Sequence, residues 1–490
     1  MRILYLGWQK GKAGGVPIYT ESLSQGFRDR GNEVAYLYVG EHDIYGKPYL
    51  RQFSDAKGIQ YVELVNSVNE YLNLRAPLRE IKEPKPEALV LKYLRNFDPH
   101  IIHVQNLMGF SSSLLEVAAD LGYPVIVSHH NYWFLCPRVE LFRSDNRLCQ
   151  GPRDGINCAW CCEIPVGRYK TLSSWFRMKR AIRGTIKPIV RLSAMVSRIE
   201  KVLRSREKAQ FIVPARGKVV RGSIALPALE DHYILEKNID LDAISQYSLR
   251  TRYHRFLLSE KTMVNLAVSS AVKDILMAFG IPEDKIVVQH IGTRAAEFVQ
   301  SLAKPRIDEQ VLFGFLGPLR YEKGVHVLLQ AFAKLDQLKC SLNIYGPFTD
   351  DPYFNYLQSL AGGYKVSFRG PYSYEDLSIV LKDIHYLVVP PVWFDNAAQV
   401  VFESLASKTP VIGAEIGGIP DFVRRGENGL LFKPNDVEGL RICMQQVIDD
   451  RTLLARLQST IKPMKTIQEH ILELEKFYGD VVTAHTNYKV

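Results

Sequence analysis

The stretch VWFDNAAQVVFESLASKTPVI, residues 392–412, carries two carboxylates eight positions apart, Asp395 and Glu403, around an apolar stripe. If a helix begins near Asn396, the first-turn amides of Ala397, Ala398, Gln399 and Val400 lack intrahelical acceptors and point at an anion. At a rise of about 1.5 Å and a turn of about 100° per residue, the acids stand about 12 Å apart along the axis. They differ by about 80° around it, so both face roughly one side. Two such acids could simply offset the helix dipole and decorate a solvated face. The sharper chemistry is a clamp for a ligand with two polar ends and an anion between them. A sugar diphosphate nucleoside has that layout, with a carboxylate for sugar hydroxyls, amides for phosphate and a second carboxylate for the ribose diol.

Two further loops carry residues of the same use. LGPLRYEKG (316–324) places Arg320 and Lys323 between a strand and a helix, where cations can meet a diphosphate beside the positive end of the helix dipole. KGKAGGVP (10–17) puts glycines between a first strand and a first helix, where backbone amides can approach a phosphate or a sugar. It lacks the G-x-G-x-x-G spacing, and no acid ends the second strand, VAYLYVG, so a nicotinamide cofactor is not expected. A solvated basic loop or a tight Gly-Gly turn would have the same composition.

The elements that must position these residues alternate between strand and helix. Strands are expected at 2–7, 32–40, 98–104 and 124–130, with helices at 16–30 and near 111–121, and residues 265–292 add another strand–helix–strand unit. A polar stretch at 300–308 follows. The alternation then restarts, with strands at 311–317, 342–346, 365–370, 385–390 and 410–414 and helices at 325–335, 397–407 and 437–449. The pattern predicts two doubly wound parallel-sheet α/β halves whose strand ends face each other across a cleft, the place where such sheets bind ligands. The expected division is an N-terminal domain over 1–295, a linker at 296–308, a C-terminal domain over 309–462, and a helix in 463–490 crossing back to the first domain. Residues 163–262 break the alternation and read as basic helices followed by irregular polar sequence, an insertion in the first half.

At 490 residues the chain is too long for one core, and 47% hydrophobic with 23% charged residues describes a folded protein. No run of 18 apolar residues is present, and MRILYLGW does not read as a signal peptide, so a cytoplasmic chain with reduced cysteines is expected. The net charge of +10 is concentrated: residues 168–208 hold 13 Lys/Arg against Glu200 and Glu207, leaving the remainder close to neutral. Apolar residues such as Trp175, Phe176 and Ile182 are interleaved with these cations. That composition suits either docking on an anionic membrane surface or a core-packed helix with a solvated basic face. No nucleic-acid motif accompanies it, so no nucleic-acid partner is expected.

Taken together, the motifs resemble the GT-B glycosyltransferases, specifically the large retaining family 4, over nearly the whole chain except about 163–262. The family's acid-x7-acid element corresponds to Asp395 and Glu403, and it precedes GGIPD (417–421) and GENGLLF (426–432). Its G-x-L-x-x-E-K-G corresponds to GPLRYEKG (317–324), and its strand ending in His-Asp to SHHN, with His130 at the His position. The resemblance implies that Glu403 binds ribose hydroxyls and that Asp395 contacts the donor sugar and the reacting centre. It likewise implies that Lys323 neutralises the diphosphate, that His130 lies at the sugar near the acceptor, and that Gly15 approaches the donor from the other domain. Backbone around Gly370, Pro371 and Tyr372 would edge the nucleobase. The implied activity is transfer with retention from a UDP- or GDP-linked sugar to a glycan or lipid-linked acceptor, without a catalytic metal, in cell-surface polysaccharide or glycolipid synthesis at the inner face of the membrane. Three positions depart from the pattern: Asp395 replaces the usual Glu, Pro318 an arginine and Ile291 an asparagine. They leave a second reading, a non-catalytic protein of this fold that binds a sugar nucleotide or glycan as a scaffold or regulator.

The segment 136–162 holds five of the seven cysteines. Cys136, Cys149, Cys158 and Cys161 give C-x12-C-x8-C-x2-C, a spacing that could build a structural tetrathiolate zinc site, with packed free thiols as the alternative.

Overall fold

The computed structural model describes residues 1–9, 15–43, 45–67, 76–162, 241–295, 299, 310–348 and 352–488. Eight strands form the first sheet: β1 (Arg2–Gly7), β2 (Glu33–Val39), β3 (Tyr49–Ser54), β4 (Gln60–Val65), β5 (Ile101–Val104), β6 (Val125–His129), β7 (Val264–Ala267) and β8 (Ile286–Val288). Their order is β3-β4-β2-β1-β5-β6-β7-β8, parallel except for β3. Six form the second: β9 (Val311–Leu316), β10 (Cys340–Tyr345), β11 (Val366–Gly370), β12 (Tyr386–Val389), β13 (Val411–Ala414) and β14 (Gly429–Phe432). Their order is β11-β10-β9-β12-β13-β14, all parallel.

Strands covered by helices on both faces need near-continuous apolar runs instead of alternation, and IIHV and YLVV are buried at every position. The expected two doubly wound sheets are therefore present. In each, chain order reverses beside the first strand, between β1 and β5 and between β9 and β12. Those reversals open crevices at the carboxyl ends of the strands. The sequence reading did not contain the hairpin that makes β3 and β4. Its turn is closed by Gly58 N–H to Asp55 O at 3.0 Å and by Asp55 Oδ1 accepting from the backbone N–H of Lys57 and Ile59. β3, YLRQFS, is a largely exposed, polar edge strand.

The helix Ile467–Tyr488 lies on the first domain. The Tyr478 ring stacks on Phe27 at 5.2 Å, Glu475 pairs with Arg30 at 2.5 Å, and Gly26 lets Ile471 come within the space of a missing β-carbon. The proposed linker 296–308, apart from Val299, and the insertion as far as residue 240 lie outside the described residues. Among the described residues no helix is long and apolar enough to cross a membrane.

Residues 241–262 correct the expectation of irregular polar sequence. Leu241–Phe256 is a helix that continues into one π-turn, Leu257–Lys261, and feeds β7. Its inward face is polar. Arg250 is fully buried, donating from Nε to Glu80 Oε2 at 2.5 Å and from Nη2 to the Trp133 carbonyl at 2.6 Å, with its guanidinium 5.2 Å over the Trp133 ring. His254 donates from Nδ1 to Phe134 O and accepts at Nε2 from Ser112 Oγ, both at 3.0 Å. Breaking a buried ion pair from one side leaves an uncompensated charge. Arg250→Met should therefore destabilise the first domain by about 3–5 kcal/mol, read from the urea midpoint, and adding Glu80→Gln should recover part of that loss.

Candidate active site

Between the two rows of strand ends lies a cavity of about 360 Å³, lined by the first residues past several strands. The first domain contributes Gly15, Val16, His130, Val268 and Ile291. The second contributes residues 315–318, Lys323, Tyr372, residues 389–391, residues 395–400 and Glu403. Of the donor-site residues singled out in the sequence, Arg320, Gly370 and Pro371 do not line it. Arg320 turns outward, donating to Glu140 and standing as an ion pair with Glu322, both at 2.6 Å, while Gly370 ends β11 and accepts from Gly346 N–H at 2.8 Å. Val16, Val268 and the Val389–Pro391 wall were not anticipated. Their one signal was position, since Val268 and Pro390 immediately follow β7 and β12.

The cleft helix runs Gln399–Ala406, three residues later than the sequence suggested. Ala398 is extended, with φ −64° and ψ 102°, and the first turn closes through Val401 N–H to Ala398 O at 2.9 Å. The delay has a packing cause. The backbone of Asp395 and Asn396 is held against the GGIPD loop, with Gly418 N–H donating to Asp395 O at 2.8 Å. A β-carbon on Gly417, at φ +59°, would stand 2.2 Å from Asp395 O, and one on Gly418 would stand 2.2 Å from Asn396 O. Both glycines are therefore required by close backbone approach. Asp395 thus belongs to a loop, and the amides presented at the helix start are those of Gln399 and Val400 and the extended residues before them.

At one end of the cavity Lys323 Nζ donates to Asp395 Oδ2 at 2.6 Å and lies 5.0 Å over the Trp393 ring. Gly324, at φ +71° with Pro390 O where a β-carbon would be, ends the turn that delivers Lys323. At the other end Glu403 is buried, its Oε2 has no hydrogen-bond partner, and burial pushes its carboxyl up to about 7. Tyr372 stands near it, and burial raises that phenol as well. Across the cleft His130 is kept neutral by burial, pushed down to about 3.

The two domains are tied at several points around the cavity. Asn396 Nδ2 donates to His129 O at 3.3 Å. Asp421 accepts from Ser270 N–H at 2.7 Å and from His290 Nε2 at 2.9 Å; burial raises its carboxyl, but these bonds outweigh it and hold the group below its usual range. On the opposite side Phe142 leaves the cysteine-rich loop to join the core of the second domain beside Tyr321.

Of the two readings the cysteine spacing allowed, the tetrathiolate is not assembled. Among the described residues no three His, Cys, Asp or Glu side chains are grouped to hold a metal ion. The thiols nevertheless lie near one another, Cys158 feeling Cys136, Cys149 and Cys161, while Cys158 and Cys162, one turn apart, pack on Tyr247 and Cys136 lies in the main core with Cys149 against it. Cys161 accepts from Ser144 N–H at 3.3 Å, and a hydrogen bond with Cys162 holds its thiol below the usual range.

Comparison with known proteins matches each half of the chain separately. The profile described as Glycosyl transferases group 1 matches residues 300–463, and that of Glycosyltransferase Family 4 matches residues 13–154. An uncharacterized glycosyltransferase of Methanocaldococcus jannaschii is 27% identical over 198 residues, 38% of this chain and 50% of that protein. A GDP-mannose-dependent alpha-mannosyltransferase of Corynebacterium glutamicum is 31% identical over 175 residues, 35% of this chain and 40% of that protein. The chain thus spans about half or less of the length of these curated relatives. Anabaena Alr3699/HepE, solved in complex with UDP-glucose, superposes with a TM-score of 0.55 at 14% identity over 98% of this chain and all of that one. That likeness, with two facing parallel-sheet domains, makes the fold GT-B.

Glu403 supplies a pH test that needs no ligand. Its carboxyl is protonated in the folded chain up to about pH 7 but loses its proton near 4.5 when unfolded. Folding therefore binds an extra proton between those values, and stability falls as pH rises through that window. Relative to wild type, Glu403→Gln should gain up to about 3 kcal/mol between pH 4.5 and 7, with no further change above it, in paired urea titrations.

Proposed function

We propose that this chain is a retaining glycosyltransferase. It would transfer a sugar from a UDP- or GDP-linked donor to a glycan or lipid-linked acceptor in cell-surface polysaccharide or glycolipid synthesis at the cytoplasmic face of the membrane. The observation that carries the reading is the unpartnered, buried carboxylate oxygen of Glu403 facing the same cavity as the Lys323–Asp395 pair. An isolated buried acid is costly unless a ligand's donors meet it, and a ribose diol offers two. The relatives speak for both nucleotides, one being named for GDP-mannose dependence and another having been solved with UDP-glucose.

In this reading the nucleoside diphosphate lies between Glu403 and Lys323, with the amides of Gln399 and Val400 toward phosphate. Lys323 stabilises charge as the diphosphate leaves, an interaction stronger in the transition state than in the ground state. Asp395, which orients Lys323 in the free protein, accepts from a sugar hydroxyl, and the acceptor attacks from the face the diphosphate vacates. His130 borders the sugar from the other domain. Asp395 is one methylene shorter than Glu, so its reach sets which donor sugar fits.

A thermal-shift panel of UDP, GDP, ADP, UDP-glucose and GDP-mannose should identify the nucleotide. Asp395→Asn and Lys323→Ala should each reduce transfer by more than about a hundredfold with unchanged circular dichroism; full activity in both removes these roles. Nucleotide binding with no turnover of any donor would instead support the scaffold reading. The basic segment 168–208, outside the described residues, is assigned to the membrane surface. The protein should float with vesicles containing anionic lipid and not with neutral ones, and equal flotation removes that assignment.

A further inference from the structure

His130 ends a chain of buried polar groups that runs back to the helix Ile467–Tyr488. Its Nε2 lies 2.6 Å from Gln105 Oε1. Gln105 immediately follows β5, and its backbone N–H donates to Leu6 O of β1 at 2.7 Å, so its side chain starts from a point held between two strands. Its amide nitrogen lies 3.1 and 3.2 Å from the two ring nitrogens of His103. His103 in turn meets Ser128 Oγ at 2.8 Å and the Tyr478 hydroxyl. A second arm reaches His130 from the same helix: Tyr19 bonds His470 at 2.6 Å and presents its ring edge-on to His130 at 5.0 Å. Gln105, His103, Tyr478 and His470 are all at most 1% exposed.

A carbonyl oxygen only accepts, so the Gln105 contact requires the proton of His130 on Nε2. With the ring neutral, the lone pair is then on Nδ1, for which the described structure holds no partner. We infer that Gln105, held by His103, which Tyr478 of the terminal helix holds in turn, is a positioning residue that fixes His130 as the Nε2–H tautomer and leaves Nδ1 to accept from a sugar hydroxyl. The inference rests on the reading of the cleft as a sugar-transfer site, but its first half can be measured without a substrate. An unheld imidazole would sample both tautomers, and only one of them accepts at Nδ1.

The test is ¹⁵N NMR of the imidazoles in the full-length protein, with His130 assigned by difference against His130→Ala. Wild type should show a protonated Nε2 and a bare Nδ1. Gln105→Leu should move both shifts toward a tautomer mixture, and Tyr478→Phe, which keeps the ring on Phe27, should move them less in the same direction. Should Gln105→Leu fail to fold, Tyr478→Phe decides. Hydrolysis of UDP-glucose and GDP-mannose gives the second readout. Gln105→Leu should lower kcat by more than about tenfold with KM changed less than about threefold, and Gln105→Glu, which still accepts from Nε2, should restore part of it. A protonated Nδ1 in wild type, or unchanged shifts in both variants, overturns the inference. The expected shifts without turnover of either donor would remove the sugar-hydroxyl role and the transfer reading while leaving the positioning by Gln105 in place.

Discussion

The backbone of Asp395 and Asn396 occupies the space that β-carbons at 417 and 418 would need, and the rest of the cleft is arranged through that contact. It ends β12's loop at a fixed height, delays the cleft helix to Gln399, and holds Asp395 where its carboxylate meets Lys323. It also brings Asn396 within reach of His129 O on the other domain. An alanine at either glycine would leave every side chain of the site in place chemically, yet move the main chain that carries two of them. The polar groups are thus positioned by backbone packing, which is stiffer than a side-chain hydrogen bond.

The two domains are also fastened on both sides of the cleft. On one side polar ties, His290 and Ser270 to Asp421 and Asn396 to His129, run beside apolar ones: the His290 and Phe422 rings lie 4.8 Å apart, and Phe402 of the cleft helix joins the first domain's core. On the other, Phe142 crosses from the cysteine-rich loop into the core of the second domain, with Leu148 packed against that core and the Arg320–Glu140 pair nearby. Polar ties exchange readily with water, whereas withdrawing Phe142 exposes apolar surface. Through Phe142 the cysteine-rich loop is therefore an apolar joint between the domains.

Much of this was legible in the sequence, for a physical reason. Strands covered on both faces are continuous apolar runs, so β1, β2, β6, β9 and β12 stood out, and a site at their carboxyl ends followed from topology alone. What was not legible depended on packing between distant segments. The helix Leu241–Phe256 turns Arg250 and His254 inward, so its buried face has a polar pattern that reads as solvent-exposed. The start of the cleft helix was misplaced because the GGIPD loop, some twenty residues on, decides it. Arg320 was assigned to the diphosphate because charge is visible in sequence, whereas its partners Glu140 and Glu322 are a matter of orientation. Gln105 was passed over altogether, since a lone glutamine after a strand carries no motif.

The terminal helix has a consequence for how the molecule comes into being. Tyr478 and His470 complete the core around β1 and the first helix, more than 440 residues after those elements are made. The second domain, built from contiguous chain, can close as it emerges from the ribosome. The first domain, although begun earlier, must wait with Tyr5, Tyr19 and His103 incompletely covered until residues 470–478 have been synthesised. Its high sequence separation makes it the slower folding unit and the one whose nascent form most needs shelter from aggregation.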